Sequence, residues 1–273
     1  MCNATQNQTA RQTTIDLLKQ SIPKENWDEN QRKLDLLKEQ VLKHPLFEHN
    51  IITRLKNKSF SLNKIQSIHL EYQHSIVEIF TDALLMSQFQ AKQLDNKIFS
   101  SVKMYPRFLI AFNINDEFGL SSDHNSYKDT PLNSHFCLFK KVLDDLSISK
   151  ETQDTFVFSK EAINLRNFLE STYSDYIKVV LALAIAEQQV ITFSPPLRES
   201  VANLDIAVNR GYYNVHGTTD DGTTEAADDL HEQDLWLLLT QALHFYDFEE
   251  ISQIAFDYCD LWNAFWNKMD ETA

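Results

Sequence analysis

Glycine is scarce in this chain, and so is proline. Only 4 glycines and 6 prolines stand among 273 residues, too few turn-formers for a sandwich or barrel of many short strands. No stretch of useful length alternates apolar and polar residues, so the strand signal is missing as well. Cys2, Cys137 and Cys259 form no Cys-x-x-Cys pair; an odd, scattered set argues for reduced thiols in a cytosol. Lysine and arginine number 25 against 39 aspartates and glutamates, a net charge of −14. That balance lacks the basic face a nucleic-acid binder needs and favours a soluble, self-repelling protein. The opening residues MCNATQNQTARQTT lack the apolar core of a signal peptide. The longest uncharged apolar run, 179–186, is too short to span a bilayer. Also missing are a Gly-x-Ser-x-Gly elbow, a phosphate-binding glycine loop and a dinucleotide fingerprint. The composition therefore points to the cytoplasm and away from nucleic acid and membrane.

What is present is helical periodicity. Apolar residues make up 43% of the chain, enough for a large core. Leu34, Leu37, Val41 and Leu42 lie at helical spacing in 27–44. Leu62, Ile65, Ile68, Tyr72, Ile76, Ile79 and Leu84 predict one long helix over about 60–88. Further helices are expected at 97–118, capped by Gly119, at 134–148, and over 158–191 as one long helix or two abutting ones, broken by Pro195-Pro196. The last are expected near 197–216, 225–246 and 248–269. The fold class read from this pattern is all-α, a single helical domain of roughly eight helices over 26–273. Residues 1–25 are read as a polar, flexible N-terminal segment.

The residues that carry chemistry are acids and histidines spread over these helices. Glu187 ends the run VVLALAIA, so its helix is apolar all round and its carboxylate is expected to be buried. A buried carboxylate must be paired, protonated or bound to a cation. Asp228 and His231 stand three apart, as do Glu71 and His74; residues at that spacing share a helical face. Each pair is also compatible with an ordinary solvated helix surface. Glu117, in NINDEFG, sits at a helix C-terminus, where the dipole disfavours a carboxylate unless a cation compensates. His135 follows a loop at a helix start, and His216 ends an aromatic helix beside Gly217. Inward-facing Glu, Asp and His on several helices of a bundle are how carboxylate-bridged dimetal sites are built, and such mixed ligation suits iron or manganese.

The order of these residues resembles the haem-oxygenase-like dimetal oxidases, relatives of TenA and of pyrroloquinoline quinone synthase. LKHPLFEHNIITRLKNKSFSLNKIQ is similar to that superfamily's opening, and NINDEFG followed by SHFCLF resembles its Asn-x-x-Asp-Glu-x-Gly and His-x-x-Leu-Phe segments. The resemblance implies metal ligation by Glu117 and His135, and by Glu187 as the next ligand. The last ligand helix of the family carries His-x-x-x-Asp-x-x-His. Here His216-x-x-x-Asp220 fits the first half, with Thr223 where the second His belongs. Asp228-x-x-His231 fits the second half, with Thr224 where the first His belongs. An eight-residue insertion such as DGTTEAAD reconciles the two, giving His216, Asp228 and His231 as ligands and displacing Asp220.

The resemblance thus implies two iron ions, or manganese, dioxygen as co-substrate and a small-molecule substrate of amine, amino acid or fatty acid type. Glu71 and His74 are left as pocket residues or as ligands of a competing ferritin-like arrangement. Tyr72 and Tyr213 are expected to line the pocket. Two further readings remain beside this one, a metal-free TenA or pyrroloquinoline quinone synthase-like enzyme and a non-catalytic helical interaction protein. A homodimer is left open.

Overall fold

A computed structural model describes residues 4–120, 129–216 and 227–271, with side chains described for 10–120, 129–216 and 230–271. Among them there is no strand, and the chain is all-α as its periodicity predicts. In chain order the helices are α1 (Ala4–Gln20), α2 (Lys24–Leu42), α3 (Ile51–Lys56), α4 (Leu62–Tyr72), α5 (Phe80–Gln90), α6 (Met104–Glu117) and α7 (His135–Asp145). There follow α8 (Lys150–Thr155), α9 (Lys160–Ser171), α10 (Tyr176–Ala202), α11 (Tyr212–Val215), α12 (Ala227–Ala242) and α13 (Phe248–Asp270).

The axis of the fold is α10, packed on α3, α5, α12 and α13. Asp175 caps its start, its Oδ1 accepting from the amides of Ile177 and Lys178. Its residues from Val179 to Glu187 are all buried, because neighbours surround it on every side. In length and apolarity α10 would suffice to cross a bilayer, yet 78% of its apolar window is buried inside the bundle. Serine opens several of the other helices. Ser61, Ser134, Ser149 and Ser159 each accept a bond from an amide of the first turn, and such a cap contributes about 1 kcal/mol. One apolar cluster runs through the bundle from Ile15 to Met269.

Four expectations change. The segment expected to be loose and polar forms α1, whose Ile15 and Leu18, with Ile22 beyond it, enter the core. α1 packs on α6 and α12, and Arg11 pairs with Asp234 of α12. A polar composition hid it because only one narrow stripe is buried. The expected helix over 60–88 is interrupted by a π-type turn over Gln73–Val77, with the Glu78 amide reaching the Gln73 carbonyl at 3.1 Å. Pro195 and Pro196 do not break α10, which continues to Ala202. The buried face Phe193, Leu197 and Val201 carries on across them, and that burial offsets the missing amides. Residues 197–216 are therefore not one helix: α10 ends at Ala202, and only the short α11 precedes His216.

Candidate metal centre

The C-terminus of α6 and the N-terminus of α7 meet because Gly119 has no side chain. Gly119 adopts φ +67°, and a β-carbon there would lie 2.3 Å from the Asn133 carbonyl oxygen. The left-handed residue closes α6 with two bonds, its own amide to Asp116 O at 2.7 Å and the Leu120 amide to Asn115 O at 2.9 Å. Asn133 leads into Ser134, the cap of α7, and His135 is the first residue of that helix. Glu117 and His135 are thereby brought together across 18 residues, Nδ1 to Oε1 at 2.9 Å, both buried.

His216 joins them from α11. Its carbonyl accepts from Ser194 Oγ of α10 at 2.7 Å, which fixes the backbone at the end of the short helix. Its ring stands edge-on to His135 with centroids 4.4 Å apart and lies 4.4 Å from the Tyr212 ring. One ligand atom from each of Glu117, His135 and His216 falls within 4.8 Å of the others, and all three residues are buried. Burial pushes the Glu117 carboxyl up, but His135, His216 and His231 together outweigh it and leave the group below the ordinary carboxylate range. Glu117 is an anion whose neighbours are imidazoles, which is a cation-binding donor set.

Glu187 closes the far wall of the same cavity and is 2% exposed. Asn113 Nδ2 donates to its Oε1 at 3.0 Å. His231 of α12 sits behind it, with Nδ1 3.8 Å from Glu187 Oε1 and Nε2 3.6 Å from Asp116 Oδ2. Two ion pairs follow this histidine along α12. Glu232 pairs with Lys38 of α2 at 2.6 Å and Asp234 with Arg11 of α1 at 2.5 Å. They tie the start of α12 to α1 and α2 and so set where His231 points. The cavity between these groups measures about 20 Å³, and its remaining wall is Tyr72, Ile76, Val77, Phe80, Phe136, Val190 and Tyr212. Much of that wall comes from the π-type turn and its flanks, a deviation that recurs at functional sites.

Of the residues singled out in the sequence, Glu117, His135, Glu187 and His216 surround one cavity, and His231 abuts Glu187. The side chain of Asp228 lies outside the described residues, as does Asp220. Glu71 and His74 do not line this cavity. Glu71 accepts from the Ser159 amide at 3.0 and 3.1 Å and from Ser159 Oγ at 3.1 Å, capping α9 from outside. His74 stacks on Phe158 with ring centroids 4.0 Å apart, on the side of the π-type turn that faces α9. Tyr72 lines the cavity as expected, but Tyr213 does not. Its hydroxyl meets His69 Nε2 at 2.6 Å instead, and Tyr212 takes the place by the site. Asn113 and Asp116 were in the quoted motif without a role. Asn113 is four residues before Glu117, on the same helical face, and that spacing was the available signal.

No family model matches this chain, and no curated protein matches it either.

Proposed function

We propose that this protein is an oxidase or oxygenase that holds two iron ions, with manganese as the alternative, and acts with dioxygen on a small molecule. The observation that carries this reading is the buried convergence of Glu117, His135 and His216. Glu117, His135 and His216 would hold one ion. Glu187, His231 and Asp228 would hold the other. Oxygen and imidazole donors without a thiolate suit iron and manganese better than softer metals. When bound, the ions supply the electrons and the Lewis acidity for dioxygen chemistry.

The chain's own residues prepare for that chemistry. Asn113 donates to one oxygen of Glu187 and so orients the carboxylate in the cavity wall. Asp116 faces one ring nitrogen of His231 while Glu187 faces the other, so the outer carboxylate orients the imidazole. The rings of Tyr72, Phe80, Phe136 and Tyr212 keep bulk water from the cavity. Cys137 and Cys259 are unbridged, which suits a reducing cytoplasm.

The test is elemental analysis of freshly purified protein, then anaerobic titration with Fe(II) and exposure to dioxygen. Uptake of about two ions per chain is expected, reduced by at least one ion in His135→Ala and in His216→Ala. Because the metal binds only the folded state, Fe(II) at about 100 times its dissociation constant should add about 2.7 kcal/mol to stability for each ion bound. Absence of uptake by the unaltered chain, or uptake lost in Glu71→Ala but kept in His135→Ala and His216→Ala, overturns the reading.

A further inference from the structure

A carbonyl oxygen can only accept a hydrogen bond, and that rule fixes the position of a proton in the core. His69 Nδ1 lies 2.7 Å from the Ile65 carbonyl oxygen, so Nδ1 carries the hydrogen of the neutral ring. Nε2 is then a lone pair, and the Tyr213 hydroxyl 2.6 Å away donates to it. Both residues are buried, at 0% and 2% exposure. Burial, and after it the Tyr72 phenol, push the Tyr213 hydroxyl well above its ordinary range, so it is protonated at rest.

A phenol with a base on its hydroxyl can do more than fill space. Losing an electron makes a phenol strongly acidic, and a base within hydrogen-bond reach takes the proton. At Tyr213 the O–H bond would break and an N–H bond would form at His69 Nε2, leaving a neutral tyrosyl radical beside an imidazolium. Each hydrogen of that imidazolium already has an acceptor, the Ile65 carbonyl on one side and the Tyr213 oxygen on the other. Burial opposes the imidazolium and holds the pKa of His69 at about 4, but an oxidised phenol is a far stronger acid than that. Tyr176 and Tyr258 are just as deeply buried, yet among the described residues neither has a base on its hydroxyl.

The electron also has a route. The Tyr213 and Tyr212 rings stand 5.5 Å apart between centroids, and the Tyr212 ring lies 4.4 Å from that of His216. Tyr212 is itself part of the wall of the candidate metal centre. Phe139 packs against the His69 ring at 6.0 Å and the Tyr212 ring at 4.8 Å, an apolar neighbour that shields a reactive species from water.

We propose that Tyr213 is a one-electron redox centre with His69 as the acceptor of its proton. The electron goes to a one-electron oxidant of high potential, which in the reading above is the metal centre once dioxygen has been admitted. The inference deepens that reading and rests on it for the natural oxidant. The Tyr213–His69 couple itself does not require the metal.

The test oxidises the full chain, free of metal, with flash-generated tris(bipyridine)ruthenium(III) and follows radicals by electron paramagnetic resonance and transient absorption. A persistent tyrosyl signal is expected, kept in Tyr176→Phe and Tyr258→Phe and lost in Tyr213→Phe. A ring-fluorinated tyrosine at position 213 keeps both ring and hydroxyl, and should add fluorine splitting to the signal. Formation of the radical should slow in heavy water. His69→Gln, which accepts a hydrogen bond but cannot hold a proton, should lose the persistent signal, an effect that a merely structural role for the pair would not produce. Circular dichroism confirms that each variant folds. A persistent signal that survives in folded Tyr213→Phe, that lacks the fluorine splitting, or that is unchanged in folded His69→Gln would overturn the proposal. A chain that forms the fluorine-split radical but takes up no iron keeps this inference and loses the oxidase. A chain that takes up iron but forms no radical at Tyr213 does the reverse.

Discussion

Acidification should destabilise this protein through His69, a histidine outside the metal centre. His69 is 0% exposed on α4. Its Nδ1 lies 2.7 Å from the Ile65 carbonyl and its Nε2 lies 2.6 Å from the Tyr213 hydroxyl. The neutral ring satisfies both contacts, Nδ1–H donating to the carbonyl and Nε2 accepting from the phenol. Burial holds its pKa down at about 4 against the ordinary 6.5, with the bond to Ile65 resisting only in part. The unfolded chain therefore takes up a proton that the folded chain refuses. Stability is full above about pH 6.5 and falls as the pH drops toward 4. Relative to pH 7 the loss is about 2 kcal/mol at pH 5 and about 3 kcal/mol at pH 4, from a shift of about 2.5 units at 1.36 kcal/mol per unit. Urea unfolding of the unaltered chain and of His69→Gln at pH 7, 6 and 5 measures it. The variant starts less stable but does not titrate at this position, so the gap between the two should narrow by about 2 kcal/mol from pH 7 to pH 5. Parallel pH dependences would refute the argument and show that the imidazole is not held neutral by the fold.

Three further outcomes follow from contacts described above. Glu71→Ala should cost about 1–3 kcal/mol in urea unfolding, by stripping the acceptor from the Ser159 amide and hydroxyl, and should leave iron uptake unchanged. Gly119→Ala should cost more than about 1 kcal/mol, because φ is +67° and the Asn133 oxygen is 2.3 Å from the new carbon; iron affinity should fall with it, since Asn133 leads directly to His135. Arg11→Met should cost about 1–3 kcal/mol, less than a fully buried pair would, because it leaves Asp234 without the guanidinium that offsets its burial. A melting temperature unchanged within error would contradict that account of α1.

The helices were legible wherever an apolar stripe met a capping residue. Ser134 sits at the start of α7 and Gly119 closes α6, as residue chemistry requires, whereas the break between α9 and α10 at Asp175 was not singled out in the expected helix over 158–191. Glu117 and Glu187 were legible for a related reason: one is a carboxylate at a helix C-terminus and the other ends an apolar run, and each position needs a cation or a donor nearby. The phase at Tyr212 and Tyr213 was not legible, because adjacent helical residues point about 100° apart and only packing says which faces the site. Nor was the continuation of α10 through two prolines. Proline's local cost is visible in a sequence, whereas the buried face that offsets it belongs to the assembled bundle. Asn113 and Asp116 stood in plain view but acquire roles only when α10 and α12 arrive beside α6.

The pairing of α1 with α12 also has a consequence for the birth of the molecule. Arg11 and Asp234 are separated by 223 positions, so at about 5–20 residues per second the ribosome makes the second roughly 10–45 s after the first. Throughout that interval Ile15 and Leu18 have no α12 to lie against. The nascent chain should therefore engage a chaperone early and settle α1 late. His231 is made in the same late stretch as Asp234, so the candidate metal centre cannot close before α12 has been synthesised.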